Sequence, residues 1–242
     1  MSYDRKAPSI WHHQGSLSRT SLKDCARRVF TAYSVHIEHN PRRPRRYNST
    51  GIRPAMNYCS KCANPVTLTI PPGDTRPRHV CANCGTIHYR NPKLVAGTIP
   101  EWENSILLCR RAIEPQYGKW TLPAGFMETQ ETTADAAIRE TLEEACARVE
   151  IGKMFSLIDV PDISQVHIFY RARLLDTDFH PGEESLETAL FPEEGIPWED
   201  LAFRTVSLTL QHYFADRRSG CWQFHTITLP MAYSFENASS HG

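Results

Sequence analysis

The pattern of apolar and polar positions predicts several strands in the middle of the chain. Apolar and polar residues alternate at residues 66–70, and the other predicted strands are apolar runs at residues 94–99, 105–109, 154–160 and 165–174. A helix is predicted after them, at residues 198–217. With another helix between the strand pairs, this order predicts an α/β fold in which helices cover the faces of a mixed sheet.

The other predicted helix begins at Thr132, because Thr132 and Asp135 are spaced as a capping box. At about 100° per residue, the carboxylates of Glu140, Glu143 and Glu144 share one face of this helix. The opposite face is apolar and is expected to point to the core. Its residues are Ala134, Ile138, Leu142 and Ala145.

The three neighbouring carboxylates indicate a cation site. Like charges this close on a helix repel one another unless a cation lies among them. Hard oxygen ligands of this kind suit Mg²⁺ or Mn²⁺. A solvated acidic helix face is the alternative interpretation of the same residues.

The register of the surrounding residues favours the cation site. The motif consists of Gly125, Glu131, Arg139, Glu140, Glu143 and Glu144. Five residues separate its first glycine from the first glutamate, and seven separate that glutamate from the arginine. This pattern resembles the Nudix box of the Nudix hydrolases, a family that cleaves nucleoside diphosphates linked to another moiety. Two positions depart from the family pattern, since Thr141 replaces an aliphatic residue and Cys146 replaces a glycine.

The resemblance implies an α/β/α sandwich with a mixed sheet, and it also implies roles for the box residues. Glu140 and Glu144 are expected to be the primary metal ligands, with Glu143 as a further ligand or as the group that orients water. The backbone carbonyl of Ala124 is expected to join the metal shell. Arg139 is expected to pair with Glu143 or a neighbouring loop and hold the cluster rigid.

Five residues outside the box are further candidates. On an acidic loop, Glu183 and Glu184 could supply a base or another metal ligand, or could simply be solvated. Arg110 or Arg111 could contact the diphosphate, although a surface ion pair is an equal alternative. Trp120 could stack on a base, but an aromatic residue that enters a strand is more often part of the core.

Two pairs of cysteines predict a small zinc ribbon at residues 56–92. They are separated by 18 residues, a spacing typical of structural zinc sites, and comprise Cys59, Cys62, Cys81 and Cys84. Four free core cysteines are the alternative. Asn64 and Gly85 follow the pairs and suit left-handed turn positions. We expect the ribbon to be a structural lid or dimer element, and the protein to be a homodimer.

The formal net charge of zero hides a strong asymmetry. Residues 1–55 contain 11 lysines and arginines against 3 acidic residues, so an acidic protein carries a basic N-terminal arm. We expect this arm to be disordered. It could contact nucleic acid or act as a transit peptide, or translation could start at Met56 instead. Because the rest of the chain is acidic, nucleic acid is not the expected partner.

The substrate is predicted only by resemblance. The chain lacks the SQPWPFPxS array of NADH pyrophosphatases, and several segments between residues 57 and 218 look like the zinc-ribbon ADP-ribose/FAD pyrophosphatases. We therefore expect a cytoplasmic enzyme that cleaves FAD or ADP-ribose and releases AMP, with its Nudix domain at residues 93–218 and a flexible tail at 219–242. The alternatives are an NADH or NAD-cap pyrophosphatase and a non-catalytic nucleotide sensor.

Overall fold

The computed structural model describes residues 56–230. The predicted basic arm at residues 1–55 and the end of the predicted tail, residues 231–242, lie outside the described residues. Within the described part of the chain, no helix is long and apolar enough to cross a membrane.

Among the described residues, the first element is a three-stranded antiparallel sheet. It consists, in spatial order, of β1 (Val66–Thr69), β2 (Arg78–Cys81) and β3 (Ile87–His88). The turn between β1 and β2 is held by the Asp74 backbone N–H, which donates to the Pro71 carbonyl at 3.1 Å. The left-handed positions after the cysteine pairs are Ala63 and Gly85, so the expectation for Gly85 is confirmed and that for Asn64 is wrong.

The second element is an eight-stranded mixed sheet with two helices. Its strands are β4 (Lys93–Trp102), β5 (Ser105–Arg111), β6 (Trp120–Thr121), β7 (Ala124–Phe126), β8 (Val149–Val160), β9 (Gln165–Leu174), β10 (Ser185–Pro192) and β11 (His225–Thr228). The helices are α1 (Thr133–Ala145) and α2 (Arg204–Ser219). The strand order is β10-β5-β4-β9-β8-β11, with β6 added to β5 and β7 added to β4. Only the β4/β9 and β8/β11 pairs of this order are parallel.

The two helices cover opposite faces of the sheet, which confirms the predicted α/β/α arrangement. Neighbouring strand residues point to opposite faces. Accordingly Ala96 and Ile168 pack with the residues of α1, whereas Ile99 and Phe169 pack in the cluster that contains α2.

Helix α1 begins as predicted but buries a different face. Thr132 accepts from the Asp135 backbone N–H, and the Asp135 side chain accepts from the Thr132 backbone N–H, so the capping box is present. The predicted core face is confirmed only in part, because Ala145 is buried but Leu142 is 51% exposed. The buried residues of α1 are Ala136, Ala137, Glu140, Thr141, Glu144 and Ala145. Two of the three carboxylates, Glu140 and Glu144, therefore face the sheet, whereas Glu143 is exposed.

The chain after α2 differs from the predicted flexible tail. Residues 225–228 form β11, which extends the sheet by parallel pairing with β8. Just before this strand, the Trp222 ring lies 3.4 Å from the guanidinium carbon of Arg171. The preceding helix also starts later than predicted, because residues 198–200 form a separate 3₁₀ turn.

Candidate metal-dependent active site

Arg139 connects the loop before α1 to the helix itself. Its Nη2 and Nε donate to the two carboxylate oxygens of Glu131 at 2.9 and 3.1 Å. Its Nη1 donates to Glu140 at 2.7 Å and to Glu143 at 2.9 Å. Nη2 also donates to the Phe126 carbonyl at 3.1 Å. The planar guanidinium thus fixes three carboxylates and one carbonyl at once, which an ammonium could not do.

Glu131 is the residue that sequence reasoning left without a role. It lies before the helix, so helical spacing gives no signal that it would face Arg139. The Glu131 carboxylate also accepts from the Glu128 backbone N–H at 2.6 Å, which closes the loop on itself. The arginine in turn keeps the pKa of this carboxyl below its usual value.

Gly125 lets the end of β7 approach the carboxylate cluster. A Cβ at this position would lie 2.3 Å from the carboxyl carbon of Glu140. Such a distance is a severe overlap, so a larger residue would displace either the strand or the carboxylate. The glycine of the box therefore leaves the Glu140 carboxylate free to stay where Arg139 binds it.

Glu144 is the most deeply buried carboxylate of the cluster, at 7% exposure. Burial raises its pKa to about 8, and the Glu140 charge adds to this effect, while the Ala124 N–H and the Arg111 charge oppose it. The Ala124 N–H donates to Glu144 at 3.2 Å. Burial also raises the pKa of Glu140, against the lowering effect of Arg139.

These side chains fit a divalent cation such as Mg²⁺. Ionising two buried carboxylates costs free energy, which is why their pKa values are raised. A cation bound between them would offset this cost. Arg139 takes one oxygen each of Glu140 and Glu143, and the Ala124 N–H takes one of Glu144. Carboxylate oxygens remain for a hard cation, which such ligands prefer.

The loop at residues 180–184 brings one of its two candidate glutamates to this site. Both Glu183 and Glu184 are exposed. After the larger effect of burial, the negative charge of Glu184 is among the causes that raise the pKa values of Glu140 and Glu144. Glu183 is not among those causes. Of the two predicted residues, Glu184 is therefore the one whose charge acts on the box carboxylates.

The two candidate arginines point in different directions. Arg110 is half-exposed, donates through Nε to the Gly118 carbonyl at 2.9 Å and pairs with Glu187 at 3.5 Å. Arg111 is buried, donates to the Pro115 carbonyl at 2.9 Å and lowers the pKa of Glu144 through its charge. Arg111 is thus the arginine on the side of the carboxylates.

Trp120 occupies the core. Its ring is buried and lies edge-on to Phe191, with 4.9 Å between the ring centroids. Because that ring is surrounded by the cluster that packs on α2, its placement does not support base stacking.

A cavity that sequence reasoning missed lies beside the box. It has a volume of about 420 Å³ and is lined by residues 92–94 and 126–129. The Lys93 ammonium lies 4.5 Å from the centroid of the Phe126 ring, which is half-exposed. Since the Phe126 carbonyl binds Arg139, the cavity adjoins the carboxylate cluster.

The four ribbon cysteines form a second possible metal site. Their sulfurs lie within 4.8 Å of one another, with 3.6 Å between Cys59 and Cys84 and 3.5 Å between Cys62 and Cys81. Four sulfurs at about 2.3 Å from a tetrahedral zinc ion would be about 3.8 Å apart, so the cluster fits this ion. Among residues 56–230 no other group of such ligands is equally tight, and the box carboxylates are spaced more widely.

Comparison with known proteins identifies both parts of the chain. Residues 57–90 match the model of the zinc-ribbon Nudix N-terminal region, and residues 92–209 match the NUDIX domain model. A NUDIX hydrolase from Nitrosomonas europaea, known from a crystal structure, is 55% identical with a TM-score of 0.70, over 72% of this chain and 99% of that one.

Two curated relatives are more distant. An ADP-ribose pyrophosphatase from Methanocaldococcus jannaschii is 28% identical over 45% of this chain and 67% of that protein. An 8-oxo-dGDP phosphatase from Homo sapiens is 33% identical over 39% of this chain, and only 30% of that protein is covered.

An α/β/α sandwich with an arginine-centred glutamate cluster at helix α1 defines the class as Nudix-fold proteins. With the domain model and the Nitrosomonas relative in agreement, the chain belongs to the Nudix hydrolase family and carries the N-terminal zinc-ribbon region.

Proposed function

We propose that the protein is a Mg²⁺- or Mn²⁺-dependent pyrophosphatase that cleaves the diphosphate of FAD or ADP-ribose and releases AMP. The intact set of box carboxylates around Arg139 is the observation that carries this proposal. The curated relative named an ADP-ribose pyrophosphatase supports the substrate class.

Some of the box residues are proposed to bind the cation, and Arg139 is proposed to position them. Glu140 and Glu144, with the Ala124 carbonyl, are proposed to hold the divalent cation, and Glu143 to add a ligand or orient the attacking water. When bound, the cation would neutralise the diphosphate and make a water molecule nucleophilic. Arg139 keeps Glu140 and Glu143 in fixed positions through its Nη1 bonds of 2.7 and 2.9 Å.

Two residues outside the box are proposed to complete the site. Glu184 lies near enough to influence both buried carboxylates, and its exposure leaves it open to a cation or a water molecule. Arg111 supplies a buried positive charge on the same side and is proposed to contact the diphosphate. Arg110 points away and is not needed for this role.

The rest of the substrate needs space beside the carboxylates. The cavity at residues 92–94 and 126–129 adjoins the cluster and has the volume of a small-molecule subsite. The cysteine cluster is proposed to hold a structural Zn²⁺, because four sulfur ligands leave no open position for substrate. A homodimer formed through the ribbon stays a prediction.

The proposal is tested by incubating the full chain and Mg²⁺ with FAD, ADP-ribose, NADH, CoA and dinucleoside polyphosphates. We expect AMP from FAD or ADP-ribose. Glu144→Gln should reduce turnover by about 10²-fold or more, as comparable electrostatic deletions do. Glu103→Gln is the matched control, since Glu103 is an exposed carboxylate in the β4–β5 turn. Hydrolysis of none of these nucleotides would favour the non-catalytic sensor.

A further inference from the structure

The loop that carries Glu184 is fastened to the end of the catalytic helix. This loop, residues 180–184, is called the acidic loop below. The His180 backbone N–H donates to the Ala145 carbonyl at 3.0 Å, and the Gly182 backbone N–H donates to the Glu144 carbonyl at 3.0 Å. The last carbonyls of a helix have no partner within the helix. The acidic loop therefore supplies partners that α1 lacks.

Gly182 is the point of closest approach between loop and helix. A Cβ at this position would lie 1.7 Å from the Glu143 carbonyl oxygen and 2.8 Å from its carbonyl carbon. Even the methyl group of alanine would overlap with helix backbone, which cannot rotate away as a side chain can. The loop can dock here only because residue 182 has no side chain.

The other end of the acidic loop is fixed as well. The Ala112 backbone N–H donates to the Glu184 carbonyl at 2.8 Å, directly after β5. Glu184 is thus held between the end of α1 and the end of β5. Glu184 follows two residues after Gly182, whose N–H binds the carbonyl of Glu144, the residue that carries the most buried box carboxylate.

We propose that Gly182 is a positioning residue of the metal site, whose backbone docks the acidic loop on α1 so that Glu184 joins Glu140 and Glu144 around the cation. This inference rests on the proposed metal-dependent function. Gly182 itself touches neither cation nor substrate. It acts through Glu184, and the two residues should therefore behave as one unit in a double-mutant cycle.

The test is Mn²⁺ binding to the full, zinc-loaded chain, followed by electron paramagnetic resonance. Gly182→Ala and Glu184→Gln should each weaken binding by about 10- to 100-fold, the range seen when supporting residues of metal sites are lost. The double variant should lose no more Mn²⁺ affinity than the single variant with the larger loss. Independent, multiplying losses would overturn the proposal, as would a loss in Glu183→Gln equal to that in Glu184→Gln.

Gly152→Ala is the matched control for backbone overlap. A Cβ at Gly152 would lie 2.8 Å from the Arg171 carbonyl oxygen, so this variant also strains backbone packing, but in β8. It should lose stability while it keeps wild-type Mn²⁺ affinity. If Gly182→Ala does not fold by circular dichroism, His180→Pro removes the other tether of the loop. That variant should weaken Mn²⁺ binding in the same direction, and unchanged affinity would overturn the proposal.

The two proposals fail in different ways. Mn²⁺ binding needs no substrate, so a wild-type chain that hydrolyses no nucleotide but shows this pattern would refute only the proposed function. The opposite result is a wild-type chain that hydrolyses FAD or ADP-ribose and a Gly182→Ala variant whose Mn²⁺ affinity and kcat are unchanged. This result would refute only the positioning role.

Discussion

The hydroxyl of Thr141 lies 2.6 Å from the hydroxyl of Thr98, in the fully buried contact between α1 and β4. Thr141 also donates to the Ala137 carbonyl at 2.7 Å, so that Thr98 is left to donate to Thr141. The polar residue at a box position where an aliphatic one is expected is therefore matched by a polar residue on the facing strand.

This pairing predicts unequal costs for the two single substitutions. Thr141→Val removes the partner of a buried hydroxyl and should lower the free energy of unfolding by about 1–3 kcal/mol. Thr98→Val leaves Thr141 bonded to the Ala137 carbonyl and should cost less. The double Val variant should come close to wild type, because no buried hydroxyl remains. Urea unfolding measures all three, and a double variant as unstable as the sum of the singles would contradict the pairing.

Arg139→Lys should weaken the metal site. A lysine ammonium cannot bind Glu131 in bidentate fashion and also reach Glu140, Glu143 and the Phe126 carbonyl. We expect the Mg²⁺ concentration for half-maximal turnover to rise by about 10- to 100-fold. Arg173→Lys is the control, since Arg173 is bound to Glu150 elsewhere on the sheet. Equal Mg²⁺ requirements in both variants would refute the supporting role of Arg139.

The box and the start of its helix could be predicted because their signals are local. The capping box of Thr132 and the spacing of the glutamates need no knowledge of the rest of the fold. The buried face of α1 could not be predicted from polarity, since Glu140 and Glu144 face the sheet while Leu142 is exposed. A proposed cation site between helix and sheet reverses the usual rule that charged faces point to solvent.

Strands β10 and β11 were not predicted, for similar physical reasons. β10 begins at Ser185, directly after the two glutamates of the acidic loop, and its charged start hid the strand. β11 is an edge strand of four residues that gains its order by pairing with β8. The position of Arg111 on the side of the carboxylates depends on the register of β5, which spacing alone does not give.

The raised pKa of Glu144 predicts a pH dependence. Burial raises this pKa from 4.5 to about 8, so between these values the folded chain holds a proton that the unfolded chain has released. The free energy of unfolding without divalent cation should therefore fall as pH rises from 4.5 to 8. Mg²⁺ binding should strengthen over the same range, because the cation displaces the proton.

Glu144→Gln isolates this effect, because glutamine does not titrate. Thermal unfolding is followed in magnesium-free buffer without a chelator, so that the ribbon keeps its metal. Burial lowers the pKa of His167 to about 4, so this residue makes the free energy of unfolding rise with pH. Both proteins contain His167, so its contribution cancels in the comparison. If stability changes with pH equally in the wild type and in Glu144→Gln, the raised pKa of Glu144 is contradicted.

Cys146→Gly should stabilise the protein. Cys146 ends α1 with φ of 47°, a left-handed conformation that costs a non-glycine residue about 1 kcal/mol. Glycine removes this strain, although its unfolded state is more flexible, so a gain of up to about 1 kcal/mol is expected. Cys146→Ala keeps the strain and serves as the control. Equal unfolding free energies for the glycine and alanine variants would show that the cap is not strained.

Zinc removal should unfold the ribbon and leave the large sheet intact. The ribbon has few buried side chains other than its cysteines, so metal binding would supply most of its folding free energy. The exposure of Leu68, Ile70 and Tyr58 fits this small core. After chelation, hydrogen exchange should become fast at residues 57–90 and stay slow in β4, β8 and β9. Slow exchange in the ribbon after complete zinc loss would contradict this prediction.

His88 offers a finer test of the same cluster. Its Nε2 lies 3.3 Å from the Cys59 sulfur. A zinc-bound thiolate can only accept, so His88 would donate this hydrogen bond in the zinc-loaded protein. His88→Ala should speed zinc release to a chromogenic chelator, because lost supporting bonds weaken metal sites by about 10- to 100-fold. His180→Ala, at an exposed histidine of the acidic loop, should release zinc at the wild-type rate. Equal release rates from the two variants would show that the His88 bond does not support the ion.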